Sequence, residues 1–411
     1  MATEAQAEAA LKSAEKAFAE WSHTPLQKRG EWMERLAQAI EEKRELILDV
    51  LMSETGKPMA QAEEDFDMLP RCLRYYYEEA KRLHGRIIED EDNSYMNLIK
   101  RQPVGVVVGY LSWNFPMLNL AYKLGPVLAS GCTCVLKPSP LTPLSTMMIG
   151  SIAENIGFPA GVINMITGDT LKLAAVMNQS TIPRMITLIG STAAGKSIIG
   201  QSNTSIKRYS LELGGNAPAI VLADADLEQA ASQLVTLKFG NAGQICVSPN
   251  RVFVHESVQE AFKAKIVEKA KQIVLGWGRE SGACMGPMIT DGHRIRVQKL
   301  ISSAVSAGAV IESGGSVPAD KSKGYYLEPT VISGVRPDMD IFKEEIFGPV
   351  LSLLKFREVE EVVREANSTE FGLASYVFEM LEAGTESGIG KDCSTYSLEE
   401  YYYIKRISIR K

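Results

Sequence analysis

From Gly105 onward the chain alternates short apolar runs with longer, more polar stretches, and this alternation narrows the possible folds more than any other feature. Residues 104–111, 133–136, 162–166, 185–189 and 219–222 are apolar at successive positions instead of at every second one. Strands of that kind are buried on both faces, so they belong to a parallel sheet covered by helices on each side. Pro138, Pro140, Pro143 and Gly157-Phe158-Pro159 punctuate the runs where the chain must turn. A second stretch of the same texture follows, with helices expected over 259–274 and 293–307 and strands over 308–311 and 349–356. The fold class is α/β, with a boundary between its two halves expected near Gly214-Gly215.

The flanking segments have a different period. Ala7, Leu11, Ala14, Phe18 and Trp21 recur at helical spacing, and Trp32, Leu36, Ile40, Leu46 and Val50 continue the pattern after the Thr24-Pro25 break. Residues 86–91 and 94–101 then read as a β-hairpin, with Ile87, Tyr95 and Leu98 in loose alternation and an acidic turn that suggests it projects from the body. Residues 401–408 alternate weakly and are expected to form a terminal strand. A chain of 411 residues has room for two or three domains and a large buried core.

Charge and composition remove several classes of function. With 44 basic against 50 acidic side chains the net charge is −6, which gives a phosphate backbone nothing to attract it. Six cysteines are too few for a disulfide framework and none are spaced C-x-x-C. Four histidines without an H-E-x-x-H run argue against a metal site. No signal peptide is visible, and the longest apolar runs fall short of the ~20 residues needed to span a bilayer. These features predict a cytoplasmic protein whose main partner is neither nucleic acid nor membrane.

Three local patterns could carry chemistry. Residues 190–197, Gly-Ser-Thr-Ala-Ala-Gly-Lys-Ser, match the G-x-x-x-x-G-K-[ST] phosphate loop and follow an apolar run. The same pattern suits a plain strand-to-helix turn, or a helix N-terminus that accepts a dinucleotide pyrophosphate, and the match alone does not choose. Cys246 lies in Phe239-Gly240-Asn241-Ala242-Gly243-Gln244-Ile245-Cys246. Two glycines and two amides so close to a thiol suggest a backbone shaped around the sulfur, whereas an ordinary buried cysteine sits among apolar neighbours. The nearest histidine, His255, lies on an expected strand exit, so a base for the thiol should be a carboxylate. Glu212, in Leu211-Glu212-Leu213-Gly214-Gly215, is flanked by leucines, the surroundings that turn a carboxylate into a useful base.

Taken in order, the motifs resemble those of the NAD(P)-dependent aldehyde dehydrogenase superfamily. Trp113-Asn114-Phe115-Pro116 resembles its W-N-[FY]-P segment, and Leu136-Lys137-Pro138 the segment with its cofactor lysine. Gly190-Ser191-Thr192 with Gly195 resembles G-S-T-x-x-G, and Glu212-Leu213-Gly214-Gly215 resembles E-L-G-G. Gly243-Gln244-Ile245-Cys246 resembles G-Q-x-C, and Glu345-Ile346-Phe347-Gly348-Pro349 resembles E-I-F-G-P. The resemblance implies a Rossmann-like dinucleotide-binding domain (1–85 and 103–213) and a second α/β, catalytic domain (214–394). It also implies a small β element (86–102 and 395–411) that builds a homodimer or homotetramer. It turns the 190–197 loop into a dinucleotide turn. Cys246 becomes the nucleophile that forms a thiohemiacetal and then a thioester, Asn114 an oxyanion donor, and Glu212 the base for hydrolysis. Cofactor contacts fall to Ser112, Trp113, Lys137, Ser139, Gly168, Gly190, Ser191, Gly195, Leu213, Glu345 and Phe347, and substrate contacts to Phe115 and Tyr122.

Departures from the family pattern bear on substrate and cofactor. Members that act on carboxylate-bearing semialdehydes often carry an arginine where this chain has Tyr122, before Lys123, and an aromatic wall favours a neutral or cationic aldehyde. NAD-selective members often place a glutamate three residues after the cofactor lysine, where this chain has Pro140. Without that repulsive carboxylate, either NAD or NADP should serve. The family usually starts some thirty-odd residues earlier, and it has about forty residues after the position of Phe378 where only residues 379–386 precede Ser387-Gly388 here. Alternatives to aldehyde oxidation in general are a succinate-semialdehyde type of specificity, acyl transfer to coenzyme A, which Glu212 disfavours, and a non-catalytic binding protein on the same fold.

Overall fold

The computed structural model describes residues 1–379 except 90, 93 and 322, together with the backbone of 402–410. Contacts divide the described residues into a first unit, Met1–Glu54 with Glu63–Leu213 and the backbone of 402–410, and a second, Thr55–Ala62 with 214–379.

The first unit opens with α1 (Glu4–Trp21), α2 (Leu26–Glu42), α3 (Arg44–Thr55) and α4 (Met59–Arg82), except that Thr55 and the first turn of α4, Met59–Ala62, cluster with the second unit. Thr3 and Gln6 form a capping box that starts α1, and Ala7, Leu11, Ala14 and Trp21 are its buried face. A hairpin follows, β1 (Arg86–Glu89) and β2 (Tyr95–Pro103), and then β3 (Val106–Tyr110), α5 (Pro116–Ser130) and β4 (Thr133–Lys137). The unit continues through α6 (Leu144–Asn155), β5 (Ile163–Met165), α7 (Thr170–Gln179), β6 (Pro183–Ile189), α8 (Thr192–Gln201) and β7 (Arg208–Glu212). The five-stranded sheet runs β5-β4-β3-β6-β7 and is parallel throughout. The chain lays β4 and β5 down on one side of β3, then returns to place β6 on the other, and ligands of open α/β sheets bind at such a reversal. Every residue of β3 and β4 is buried, as their unbroken apolar runs require. α5 is buried on nearly all sides, begins at Pro116 and ends at the left-handed Gly131, which is how an all-round apolar helix is delimited.

The second unit contains β8 (Ala217–Val221), α9 (Leu227–Phe239), β9 (Pro249–His255), α10 (Gln259–Lys271), α11 (Asp291–Ser306) and β10 (Val310–Ser313). β11 (Thr330–Ser333), α12 (Asp340–Lys343), β12 (Val350–Phe356), α13 (Val359–Ala366) and β13 (Tyr376–Phe378) complete it. Its sheet runs β10-β11-β12-β9-β8-β13 and is parallel except for the β10–β11 pair. The terminal strand β14 (Tyr402–Arg410) pairs antiparallel with β2, giving a separate sheet β1-β2-β14.

Residues 55–62 cluster with the second unit, where their backbone is laddered: Gly278 N donates to Lys57 O at 2.9 Å and Met59 N to Gly278 O at 2.8 Å. The strand expected from Gly308 begins at Val310, since Gly308 is left-handed and serves as the turn that ends α11. In the hairpin all four residues of β1 are exposed, as expected of a segment outside the core, and the buried residue of β2 is Asn97. A three-stranded sheet buries little apolar surface, so a loose alternation says little about its faces. The shortened stretch after Phe378, apart from Glu379, lies outside the described residues. No helix among the described residues is long and apolar enough to cross a membrane.

Candidate active site

Cys246 stands after α9, at the end of a turn with an unusual backbone. Asn241, Ala242 and Gly243 are all left-handed, with φ of 48°, 54° and 70°. Two consecutive non-glycine residues there cost roughly 1–2 kcal/mol each, a strain that persists only where the surroundings hold it. They do so by hydrogen bonds. Gln244 Nε2 donates to Asn241 O at 2.9 Å, Gln244 Oε1 accepts from Ile289 N at 2.9 Å, and Gln61 Oε1 accepts from Asn241 N at 3.1 Å. Gly243 has no room for a side chain, because a Cβ would run into the Gly348 carbonyl. The Cys246 thiol is half-buried. Tyr376 donates from its hydroxyl to Val247 O at 2.7 Å, tying edge strand β13 to the residue after the thiol, and burial raises its own phenol pKa.

Gly214 and Gly215 have physical reasons to lack side chains. A Cβ at Gly215 would collide with the Cys246 carbonyl, and one at Gly214 would lie 2.7 Å from Glu345 Oε2. The Gly215 N–H donates to Glu345 Oε1 at 2.9 Å, so this glycine pair fits against both the thiol segment and the carboxylate. Burial raises the pKa of Glu345. Nearby, Lys238 is fully buried and donates to Asn250 Oδ1 at 2.9 Å; burial brings its pKa down to about 7, and the Glu345 charge opposes that fall. Phe347 is also left-handed, with φ of 52°. His293 Nε2 lies 2.8 Å from Phe347 O, and Arg296 donates to Ile346 O at 3.1 Å and to Glu345 O at 2.9 Å. His293 and Arg296, one turn apart on α11, hold this segment together. Motif reading missed both, along with Tyr376 and Lys238; only their helical spacing could have hinted at the first two.

In the first unit most of the remaining candidates lie at the carboxyl ends of β3, β4, β6 and β7, with Gly168 beyond β5 and Tyr122 in α5. Asn114 is buried and Trp113, Phe115 and Ser112 are half-buried, all just beyond the end of β3, while the half-buried Tyr122 lies within α5. Phe115 makes no side-chain cap for α5. Instead Asp65 Oδ1, from α4, accepts from Leu118 N at 2.9 Å, fixing the corner on which Asn114 sits. Asn119, which motif reading also missed, donates through Nδ2 to Asn114 Oδ1 at 3.3 Å and to Ser112 O at 3.1 Å. Lys137 ends β4; its Nζ donates to Thr170 Oγ1 at 2.9 Å, and burial lowers its pKa. Ser139 is half-buried just beyond. Ser191 caps α8 by accepting from Ala194 N at 3.2 Å, and Gly190 N donates to Glu212 O at 3.0 Å, linking the ends of β6 and β7. Glu212 is half-buried. Gly195 lets Leu213 close over α8, for a Cβ there would lie 2.9 Å from Leu213 Cδ2. Gly168 is packed against Ala2, whose carbonyl a Cβ would meet at 2.7 Å, so its lack of a side chain has a structural cause beside any ligand contact.

The donor set fits a dinucleotide. A capped helix N-terminus beyond β6 and a buried ammonium and a serine hydroxyl at the end of β4 lie on either side of β3, where the strand order reverses, and are the chemistry that pyrophosphate and ribose require. In the second unit, a carboxylate that accepts from backbone lies beside the segment that carries a thiol on a strained loop. A dinucleotide-binding fold of this kind is the frame of a nicotinamide-dependent oxidoreductase.

The chain belongs to the aldehyde dehydrogenase family, whose model matches residues 1–381. Members oxidise an aldehyde with a nicotinamide dinucleotide. The chain is 37% identical to succinate-semialdehyde dehydrogenase [NADP(+)] 2 of Schizosaccharomyces pombe, over 98% of this chain and 88% of that protein. It is 36% identical to 3-sulfolactaldehyde dehydrogenase of Pseudomonas putida, over 98% and 89%. Among solved structures, succinate-semialdehyde dehydrogenase from Burkholderia pseudomallei matches with a TM-score of 0.94 at 34% identity, covering 99% of this chain and 90% of its own.

Proposed function

We propose that this chain oxidises an aldehyde to its carboxylate through Cys246, and the observation that carries the reading is the strained, hydrogen-bonded loop that presents this thiol. Cys246 as thiolate adds to the aldehyde carbonyl, and the Asn114 amide with the Cys246 N–H donates to the oxygen that gains charge. When bound, NAD or NADP supplies the acceptor for the aldehyde hydride. Lys137, Ser139 and Ser191 would hold its ribose and phosphates, with Ser112, Trp113, Gly168, Gly190, Gly195 and Leu213 around it, and Glu345 and Phe347 would position the nicotinamide end. Glu212 then takes a proton from the water that cleaves the Cys246 thioester.

The half-buried Tyr122 supports a neutral or cationic aldehyde, since it stands where a carboxylate-binding arginine would be. The relatives favour a second reading, an aldehyde bearing an acid group, because two of those compared are named for succinate semialdehyde and one for 3-sulfolactaldehyde. The test is turnover with both cofactors on butyraldehyde, betaine aldehyde and succinate semialdehyde. A kcat/KM for succinate semialdehyde far above the other two overturns the neutral-substrate reading, and no cofactor reduction with any aldehyde overturns the catalytic one.

The strands β1 and β2 pair in a sheet with β14 whose outer edges can satisfy a neighbour's backbone groups, which supports a homodimer or homotetramer. Sedimentation as a monomer at micromolar concentration counts against it. A cytoplasmic setting suits a chain whose described cysteines form no disulfide.

A further inference from the structure

We propose that Asn119 is a positioning residue that sets which end of the Asn114 amide is available as a donor. This rests on the reading of Asn114 as the oxyanion donor and adds a cause for its orientation. A side-chain amide has two ends of nearly equal shape, and only the NH2 end can stabilise a developing alkoxide. Asn119 lies in the first turns of α5, is almost fully buried, and both of its donor hydrogens are committed. One goes to Ser112 O at 3.1 Å and the other to Asn114 Oδ1 at 3.3 Å. The Ser112 carbonyl is a backbone acceptor that cannot turn into a donor, so the Asn119 amide is itself fixed with Nδ2 toward the β3–α5 corner. A donor held there demands the oxygen of Asn114 in return, and Nδ2 of Asn114 must then point away from Asn119. The backbone thereby determines the first amide and the first amide determines the second. The reverse arrangement would set two NH2 groups against each other in a buried site, which costs more than the hydrogen bond gains.

The test exchanges the donor for an acceptor of the same shape. In Asn119→Asp, assayed at a pH high enough to ionise the buried carboxyl, the carboxylate accepts from Asn114 Nδ2 and turns the catalytic amide around, so kcat should fall about tenfold or more, up to the 10²–10³ range for loss of one oxyanion donor. In Asn119→Leu neither orientation is enforced, and a smaller loss, about two- to fivefold, is expected from an amide that spends part of its time reversed. Cofactor dissociation constants, read by quenching of tryptophan fluorescence, should stay at the parent value in both variants, a split that simple loss of folding does not give. Asn114→Ala is measured in parallel. If Asn114→Ala is impaired while a folded Asn119→Asp or Asn119→Leu turns over like the parent, the positioning role is wrong and the oxyanion reading stands. If Asn114→Ala itself keeps parental kcat, the oxyanion reading fails and takes this inference with it. Should Asn119→Asp not fold, the Asn119→Leu kcat decides, and an unchanged value overturns the proposal.

Discussion

Replacing Gly215 by Ala separates closeness of approach from backbone freedom. Gly215 is not left-handed, so an alanine costs nothing in backbone conformation there. Its Cβ, however, would lie well inside 3.0 Å of the Cys246 carbonyl oxygen, a separation that real Cβ atoms essentially never show. The obstacle is backbone and cannot swing aside as a side chain would. The Gly215 N–H is also engaged, by Glu345 Oε1 at 2.9 Å, so retreat on that side disturbs the carboxylate. The clash is therefore relieved by moving the Cys246 segment on the order of 1 Å, and a misplacement of that size costs about 100-fold in rate. That is ~2.7 kcal/mol of barrier. Overpacking should also remove about 1–3 kcal/mol of stability. The control is Gly200→Ala on the exposed face of α8, where an added Cβ meets nothing within 4 Å. It should stabilise by about 0.5–1 kcal/mol and leave kcat alone. Urea denaturation gives the first quantity, and steady-state cofactor reduction with a good aldehyde substrate the second. A Gly215→Ala enzyme with kcat within about threefold of the parent, a loss of under ~0.7 kcal/mol, would refute the reasoning.

Cys246→Ala should abolish turnover while sparing cofactor binding, and Glu212→Gln should slow steady-state turnover while a pre-steady-state burst of reduced cofactor survives; burst and steady state falling together would remove Glu212 from the hydrolytic step. Pro140, exposed after Lys137, should on replacement by Glu weaken NADP⁺ use selectively, the parent discriminating between the cofactors by less than about two decades in kcat/KM; a parent that already rejects NADP⁺ by three decades or more would place the choice elsewhere. Lys238 has a pKa near 7 in the folded chain against 10.5 for the ordinary group, so the unfolded chain binds more protons between those values. Its burial cost is thus fully present below pH 7 and is relieved as pH rises toward 10.5. Lys238→Met should accordingly compare best with the parent near pH 6 and lose more than half of that relative advantage by pH 9, in urea unfolding followed across the range; a difference that does not vary with pH would show that Lys238 is not buried as a depressed cation.

Much of the architecture could be read from residue order. The runs at 104–111, 133–136 and 185–189 contain strands because both-face apolarity has no other economical outcome, and β3, β4 and β6 lie there in parallel. The strands at Arg208–Glu212, Thr330–Ser333 and Tyr376–Phe378 gave no comparable signal. They are short, and β7 and β13 are edge strands, half-wet or nearly so, whose identity comes from the neighbour they pair with.

Cys246, Glu212, Asn114 and Lys137 stood out as candidates because each sits in a contiguous run of residues whose types make sense together. Their surroundings could not be read in that way. Tyr376 reaches Val247 across 129 positions, Arg296 reaches Glu345 across 49, and the left-handed φ of Phe347 and Ala242 contradicts the local preference of both residues. Sequence by itself determined the alternation of elements, the turns and the short motifs, since those follow from periodicity and from side-chain chemistry within a few residues. Only the tertiary structure decided which distant donor meets which carbonyl, which glycines are required by another segment's backbone, and which strained conformations are held. Such interactions are made between segments that packing brings together, and their partners leave no mark on one another's local sequence.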